Sequence, residues 1–175
     1  PTVRQWAKML VESTPNHSTD AIESPKDGFA APIDDSVPFD LTDVQYAYWI
    51  GRNSSQQLGG VGTHGYVEVE SRSINIDRLQ QSWLTLLRSH PMLRACYTED
   101  GKQYVLPEPP HPTILVHDLT KMDESTREEA LLSTRERLSH RLLDIATGHV
   151  VSLEVSLLPQ DVAVIHFDID LLVCD

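Results

Sequence analysis

The chain has 175 residues, enough for one medium domain or a piece of a larger one, and 40% of them are apolar, enough to bury a core. Its formal net charge of -12 argues against nucleic acid and against anionic membrane surfaces, which such a chain repels. No apolar run approaches the roughly 20 residues of a spanning helix, the start lacks a signal-peptide pattern, and Cys96 and Cys174 are too few for a disulfide framework, so a cytoplasmic protein with reduced thiols is expected.

Val3, Trp6, Leu10 and Val11 recur at helical spacing behind Pro1-Thr2, which predicts a helix over 1–13. Residues 14–38 carry Pro15, Pro25, Pro32 and Pro38 with no periodicity. They read as a flexible linker, so the residues before them belong to a separate unit. A compact unit begins at Phe39. Leu41, Val44, Tyr48 and Trp49 predict a short helix capped by Thr42 or Asp43. A polar, then glycine-rich loop over 53–62 lacks the lysine of a phosphate loop. Residues 64–70 alternate as a strand. Over 77–89, Leu79, Trp83, Leu86 and Leu87 make one apolar stripe, with Asp77 and Gln80 resembling a capping box. His90-Pro91 ends that helix.

Strands are expected over 92–97 and 103–106, joined by a turn at Glu99-Asp100-Gly101. Four prolines between 107 and 112 form a stiff connector, followed by a short strand over 114–117. The second long helix is expected over 123–143, with Leu131, Thr134, Leu138 and Leu142 facing inward. Two strands, 150–158 and 162–170, finish the chain. This mixed order predicts an α/β (α+β) lobe with a mixed sheet.

The chemistry gathers at the C-terminal end. Asp170-Leu171-Leu172-Val173-Cys174-Asp175 reads D-x-x-x-x-D, two carboxylates flanking four apolar residues. A buried carboxylate must be paired or protonated. Strand alternation places His166, Asp168 and Asp170 on a polar face, and Ile165, Phe167, Ile169 and Leu171 on a core face. Asp170 and Asp175 stand at an odd offset, so one shared site requires the chain to turn, burying 171–174. Three readings stay open: a structural carboxylate paired with an arginine, a general acid or base, and a metal site of His166, Asp168 and Asp170. Cys96 and Cys174 lie in apolar surroundings and read as small core residues. An apolar run that stops on Asp175 suggests a domain cut part-way.

Leu41-Thr42-Asp43-Val44-Gln45 with Ala47-Tyr48-Trp49-Ile50-Gly51-Arg52 resembles the opening motif of heterocyclization domains of nonribosomal peptide synthetases. Gly59-Gly60-Val61-Gly62-Thr63-His64, His90-Pro91-Met92-Leu93-Arg94, Leu138-Ser139-His140-Arg141 and the D-x-x-x-x-D signature resemble later blocks in the family's order. The resemblance covers about 39–175. Residues 1–13 similarly resemble the last helix of a carrier domain. Thr63, Gly65 and Cys174 depart from the usual Cys, aromatic and Ala.

The resemblance implies a chloramphenicol acetyltransferase-like fold of two α/β lobes, with this chain as the N-terminal lobe. A carrier-bound Cys, Ser or Thr would attack an upstream acyl thioester, then cyclize with loss of water to a thiazoline or oxazoline, as in siderophore synthesis. It implies no directly bound cofactor and no metal, only phosphopantetheine-tethered substrates. The expected partners are an upstream aryl or peptidyl carrier, a downstream peptidyl carrier and the C-terminal lobe. Asp170 and Asp175 are the candidate catalytic pair, with Asp170 in an ion pair. His64, His166 and Asp168 are candidate tunnel residues. The fragment alone is expected to be inactive. The rival expectations are a lobe that only docks carriers, and a plain acyltransferase using His166.

Overall fold

The computed structural model describes residues 36–52 and 60–174. The helix expected over 1–13, nearly all of the expected linker and Asp175 lie outside the described residues. In chain order the elements are β1 (Phe39–Asp40), α1 (Asp43–Gly51), β2 (His64–Arg72), α2 (Ile76–Ser89), β3 (Ala95–Tyr97), β4 (Lys102–Val105), β5 (Leu115–Asp118), α3 (Glu124–His140), β6 (Val151–Leu158) and β7 (Val162–Asp170). Short 3-10 turns occupy Pro91–Arg94, Ile145–Thr147 and Leu171–Val173.

A small sheet runs β1-β4-β3 and a larger one β2-β7-β6-β5. Within the larger sheet β5 lies parallel to β6, and the other pairings are antiparallel. This is the expected mixed sheet, and α3 is the crossover its parallel pair requires. The β6–β7 hairpin turns through Gln160 and Asp161, both at positive φ, the turn handedness that suits twisted strands.

One face of the larger sheet carries the core. Trp83 and Leu87 of α2 join Val151, Leu153, Val155 and Ala163 in one buried cluster, with Phe167 packed against it. Trp83 meets Phe167 edge-on at 6.4 Å between ring centres. The opposite face lies under α3, and there the sequence expectation needs amendment. The polar face of β7 is buried as deeply as the apolar one, because α3 covers it with arginines. Arg135 pairs with Glu68, Arg137 with Glu154, and Arg141, just past the helix, with Asp168.

Several boundaries shift for local reasons. The cap of α2 is Asn75, which accepts from Arg78 N, while Gln80 instead bridges to Pro112 and Ile114. A complete capping box does occur, at Thr42 and Gln45 of α1. Pro91 starts a 3-10 turn, so the third strand begins only at Ala95. The helix expected to reach 143 stops at His140, because Arg141 is extended toward Asp168. Leu142, past the end of α3, is accordingly exposed rather than inward, and Leu86 of α2 is exposed as well. Cys96 is buried as expected, whereas Cys174 is exposed, since only Leu172 of its turn is fully buried.

Candidate functional site

The sequence after β7 does turn. Asp170 caps the Leu171–Val173 turn, its Oδ1 accepting from Leu172 N at 3.0 Å. Its other oxygen pairs with Arg52, the residue that closes α1. Asp170 is 1% exposed and the Arg52 side chain 12%, so the pair is largely removed from water. Burial pushes the Asp170 carboxyl up, while Leu172 N and the Arg52 guanidinium pull against it. The acidic side chain therefore holds a turn and an arginine together.

Three further contacts fix that turn. Leu172 O accepts from Gln45 Nε2 at 2.8 Å and from Tyr97 Oη at 3.0 Å. Leu171 N donates to Thr63 O at 2.9 Å. Gln45 is itself locked by Gln103, whose Nε2 donates to Gln45 Oε1 at 2.9 Å. Arg52 also donates to Leu143 O. Gly62 lies so close to Leu142 and Arg52 that a Cβ there would collide with both. The segment leading out of β7 is thus clamped from α1, β3, the start of β2 and the chain after α3.

The other candidates separate. Asp168 is fully buried, and its Oδ2 accepts from Arg141 Nε at 2.7 Å. Its Oδ1 has no hydrogen-bond partner. His64 lies across the sheet from Asp170 in register. Its Nε2 donates to Leu138 O at 3.2 Å and lies 3.9 Å from Asp168 Oδ1. Gly65 points to the other face, against Ile169 and Leu171, so it opens no space at the His64 ring.

His166 is 1% exposed and both ring nitrogens are engaged. The protons have one consistent arrangement. Ser156 Oγ donates to His166 Nε2, His166 Nδ1 donates to Tyr66 Oη, and Tyr66 donates to Glu68 Oε1 at 2.6 Å. Burial lowers the His166 pKa, in agreement with a neutral ring. The series resembles a Ser-His-acid relay, yet Ser156 is fully buried and cannot meet a substrate. His166 therefore has no free nitrogen to serve as the base of a plain acyltransferase. Among the described residues no group of three or more His, Cys, Asp or Glu could hold a metal ion. Asp168 and Asp170 are each committed to an arginine.

The sequence reading singled out Asp170 but missed the roles of its partners. Gln45 and Arg52 stand in the opening motif and Arg141 in the later block, so the motif positions were visible without their connection. Tyr97 carried no signal.

No family model matches the chain. Phenyloxazoline synthase MbtB of Mycolicibacterium paratuberculosis is 36% identical over 177 residues, covering 100% of this chain and 15% of that protein. Pyochelin synthetase PchE of Pseudomonas aeruginosa is 32% identical over 142 residues, covering 81% of this chain and 10% of that protein. The chain thus spans a small part of the length of these relatives. The cyclization-docking bidomain of the synthetase EpoB from Sorangium cellulosum superposes with a TM-score of 0.75 at 29% identity, covering 97% of this chain and 32% of that one. In sequence and in fold, the chain belongs to the heterocyclization domains of nonribosomal peptide synthetases, of which it forms the N-terminal lobe.

Proposed function

We propose that the protein condenses a carrier-bound acyl group with a carrier-bound Cys, Ser or Thr, then cyclizes the product to a thiazoline or oxazoline. The observation that carries this reading is the clamped turn between Asp170 and Asp175. In a general condensation site the task is to hold an amine against a thioester carbonyl, which needs fixed walls more than a strong base. Asp170 supplies such a wall: its oxygens are consumed by Arg52 and Leu172 N, so it positions rather than transfers protons. Asp175 follows this turn in sequence, and we assign to it the carboxylate that acts on the reacting groups. Cyclodehydration needs a proton delivered to the departing oxygen, and we assign that step to groups on the C-terminal lobe together with Asp175.

The likeness to a phenyloxazoline synthase over the whole chain favours an aryl acyl donor and a β-hydroxy amino acid, because an oxazoline takes its ring oxygen from a side-chain hydroxyl. The setting is then siderophore assembly. Residues 1–13 would end an upstream carrier domain and 14–38 tether it. The substrates would arrive on phosphopantetheine arms from that carrier and from a downstream one.

The test loads the upstream carrier of the intact synthetase with an aryl acyl group and the downstream carrier with Thr, Ser or Cys. The downstream carrier is then weighed by mass spectrometry. Acyl transfer with loss of one further water supports the proposal. Transfer without that loss makes the domain a plain condensation catalyst. No transfer between two loaded carriers leaves a lobe that only docks them.

A further inference from the structure

We propose that His64 is a positioning residue for this site, a clamp that seats the end of α3 and through it the Asp170 turn. The inference rests on the heterocyclization reading for its kinetic consequence and on geometry alone for its structural one. His64 is the first residue of β2. A carbonyl can only accept, so the 3.2 Å contact between Nε2 and Leu138 O places the ring proton on Nε2. Leu138 belongs to the last turn of α3, whose carbonyls lack intrahelical partners. A side-chain donor there fixes where the helix ends.

From that end the contacts continue to the signature. Arg141 follows α3 and reaches Asp168. Leu143 O receives Arg52, which holds Asp170. Asp170 caps the turn, and Thr63 O, one residue before His64, accepts from Leu171 N. His64 thus sits where both routes to the turn meet: through its ring to α3, through the adjacent carbonyl to Leu171. Asp168 Oδ1, buried and without a partner, lies 3.9 Å from the same ring nitrogen. Nε2, carrying the proton it donates to Leu138 O, has no lone pair with which to abstract a substrate proton, and the carboxylate faces the same edge of the ring.

The experiment compares His64→Leu, which keeps bulk and removes the donor, with His64→Gln, which keeps an N–H donor, in the intact synthetase. Cyclized product formation gives kcat and KM, and hydrogen exchange reads segments 138–143 and 170–174. His64→Leu is expected to lower kcat by about ten- to a hundredfold with KM little changed, the scale set by a misplaced but intact site. It should speed exchange in both segments. His64→Gln should stay within about threefold of the parent in rate and match it in exchange. Equal loss in both variants overturns the proposal, since the imidazole itself would then be required. So does unchanged exchange at 170–174 in His64→Leu. A parent that forms no cyclized product defeats the heterocyclization reading, while the exchange pattern still decides whether the clamp exists. Should His64→Leu fail to fold, His64→Asn replaces it, its amide being too short to reach Leu138 O.

Discussion

At Asp170 a charge that would be costly alone is stable because Arg52 and Leu172 N share it. Removing one partner of such a buried pair typically costs about 3–5 kcal/mol, since the other charge stays buried. Asp170→Asn is therefore expected to destabilise the lobe on that scale in urea titrations. Because the turn shifts as a unit, condensation and cyclization should fall together in the product assay. Loss of cyclization alone would give Asp170 a chemical role. Two other residues contribute to the acid stability, beside His166, which burial also lowers, and against Asp168 and Asp170, whose carboxyls burial raises. Burial, then the neighbouring His111, lowers His149 to about 4. For Glu154 burial works upward, but Arg137 and His117 outweigh it and hold the carboxyl at about 2. The signs agree. Between its unfolded pKa near 6.5 and about 4, the unfolded chain binds the extra proton at His149, so stability falls as pH drops through that window. Glu154 adds a second loss between about 4.5 and 2. His149→Phe should make the first leg of a melting temperature–pH curve shallower, leaving the part that His166 contributes, and leave the second unchanged.

Among elements, α3 is the unusual one. Leu138 is its one buried residue among those described, while Arg135 and Arg137 of the helix and Arg141 just past it reach three different strands. The contributions should differ by burial. Leu138→Ala leaves a cavity and should cost about 2–5 kcal/mol. Arg141→Ala leaves Asp168 with neither oxygen partnered and should cost about 3–5 kcal/mol. Arg135→Ala breaks a pair in which the arginine is half exposed and should cost under about 1 kcal/mol. Denaturant midpoints for the three variants check this ranking. The same helix marks the limit of the sequence reading. Alternation correctly put His166, Asp168 and Asp170 on one face, and the motifs correctly grouped the chain. A period-2 pattern says that a face is polar and cannot say that it is wet. Whether a helix covers it depends on Arg135, Arg137 and Arg141, which in sequence look like an ordinary solvated stripe. For the same reason His166 read as reachable when it is sealed. The partners of Asp170 were hidden by distance, Arg52 lying 118 residues away along the chain.

At the scale of the molecule, the lobe is organised around one sheet with unlike faces. The apolar face, under α2, supplies most of the burial that stabilises it. The charged face, under α3, leads by way of Asp168 and Asp170 to the turn that carries the signature. No helix among the described residues is long and apolar enough to cross a membrane.

The register of β2 against β7 has a kinetic consequence. Tyr66 and His166 touch although they are 100 residues apart in sequence, whereas β6 and β7 are joined by a three-residue turn. Closing the long loop exacts its entropy before any contact repays it. The β6–β7 hairpin should therefore form early and β2 should add late. Val155→Ala, in the hairpin, is expected mainly to slow refolding, and Tyr66→Phe, in β2, mainly to speed unfolding, as stopped-flow chevrons would record. The order matters because Thr63 and His64 arrive with β2. Until that strand docks, the Asp170 turn has lost two of its restraints, so the end of the lobe that bears the signature is the last part to be born and the first to be lost.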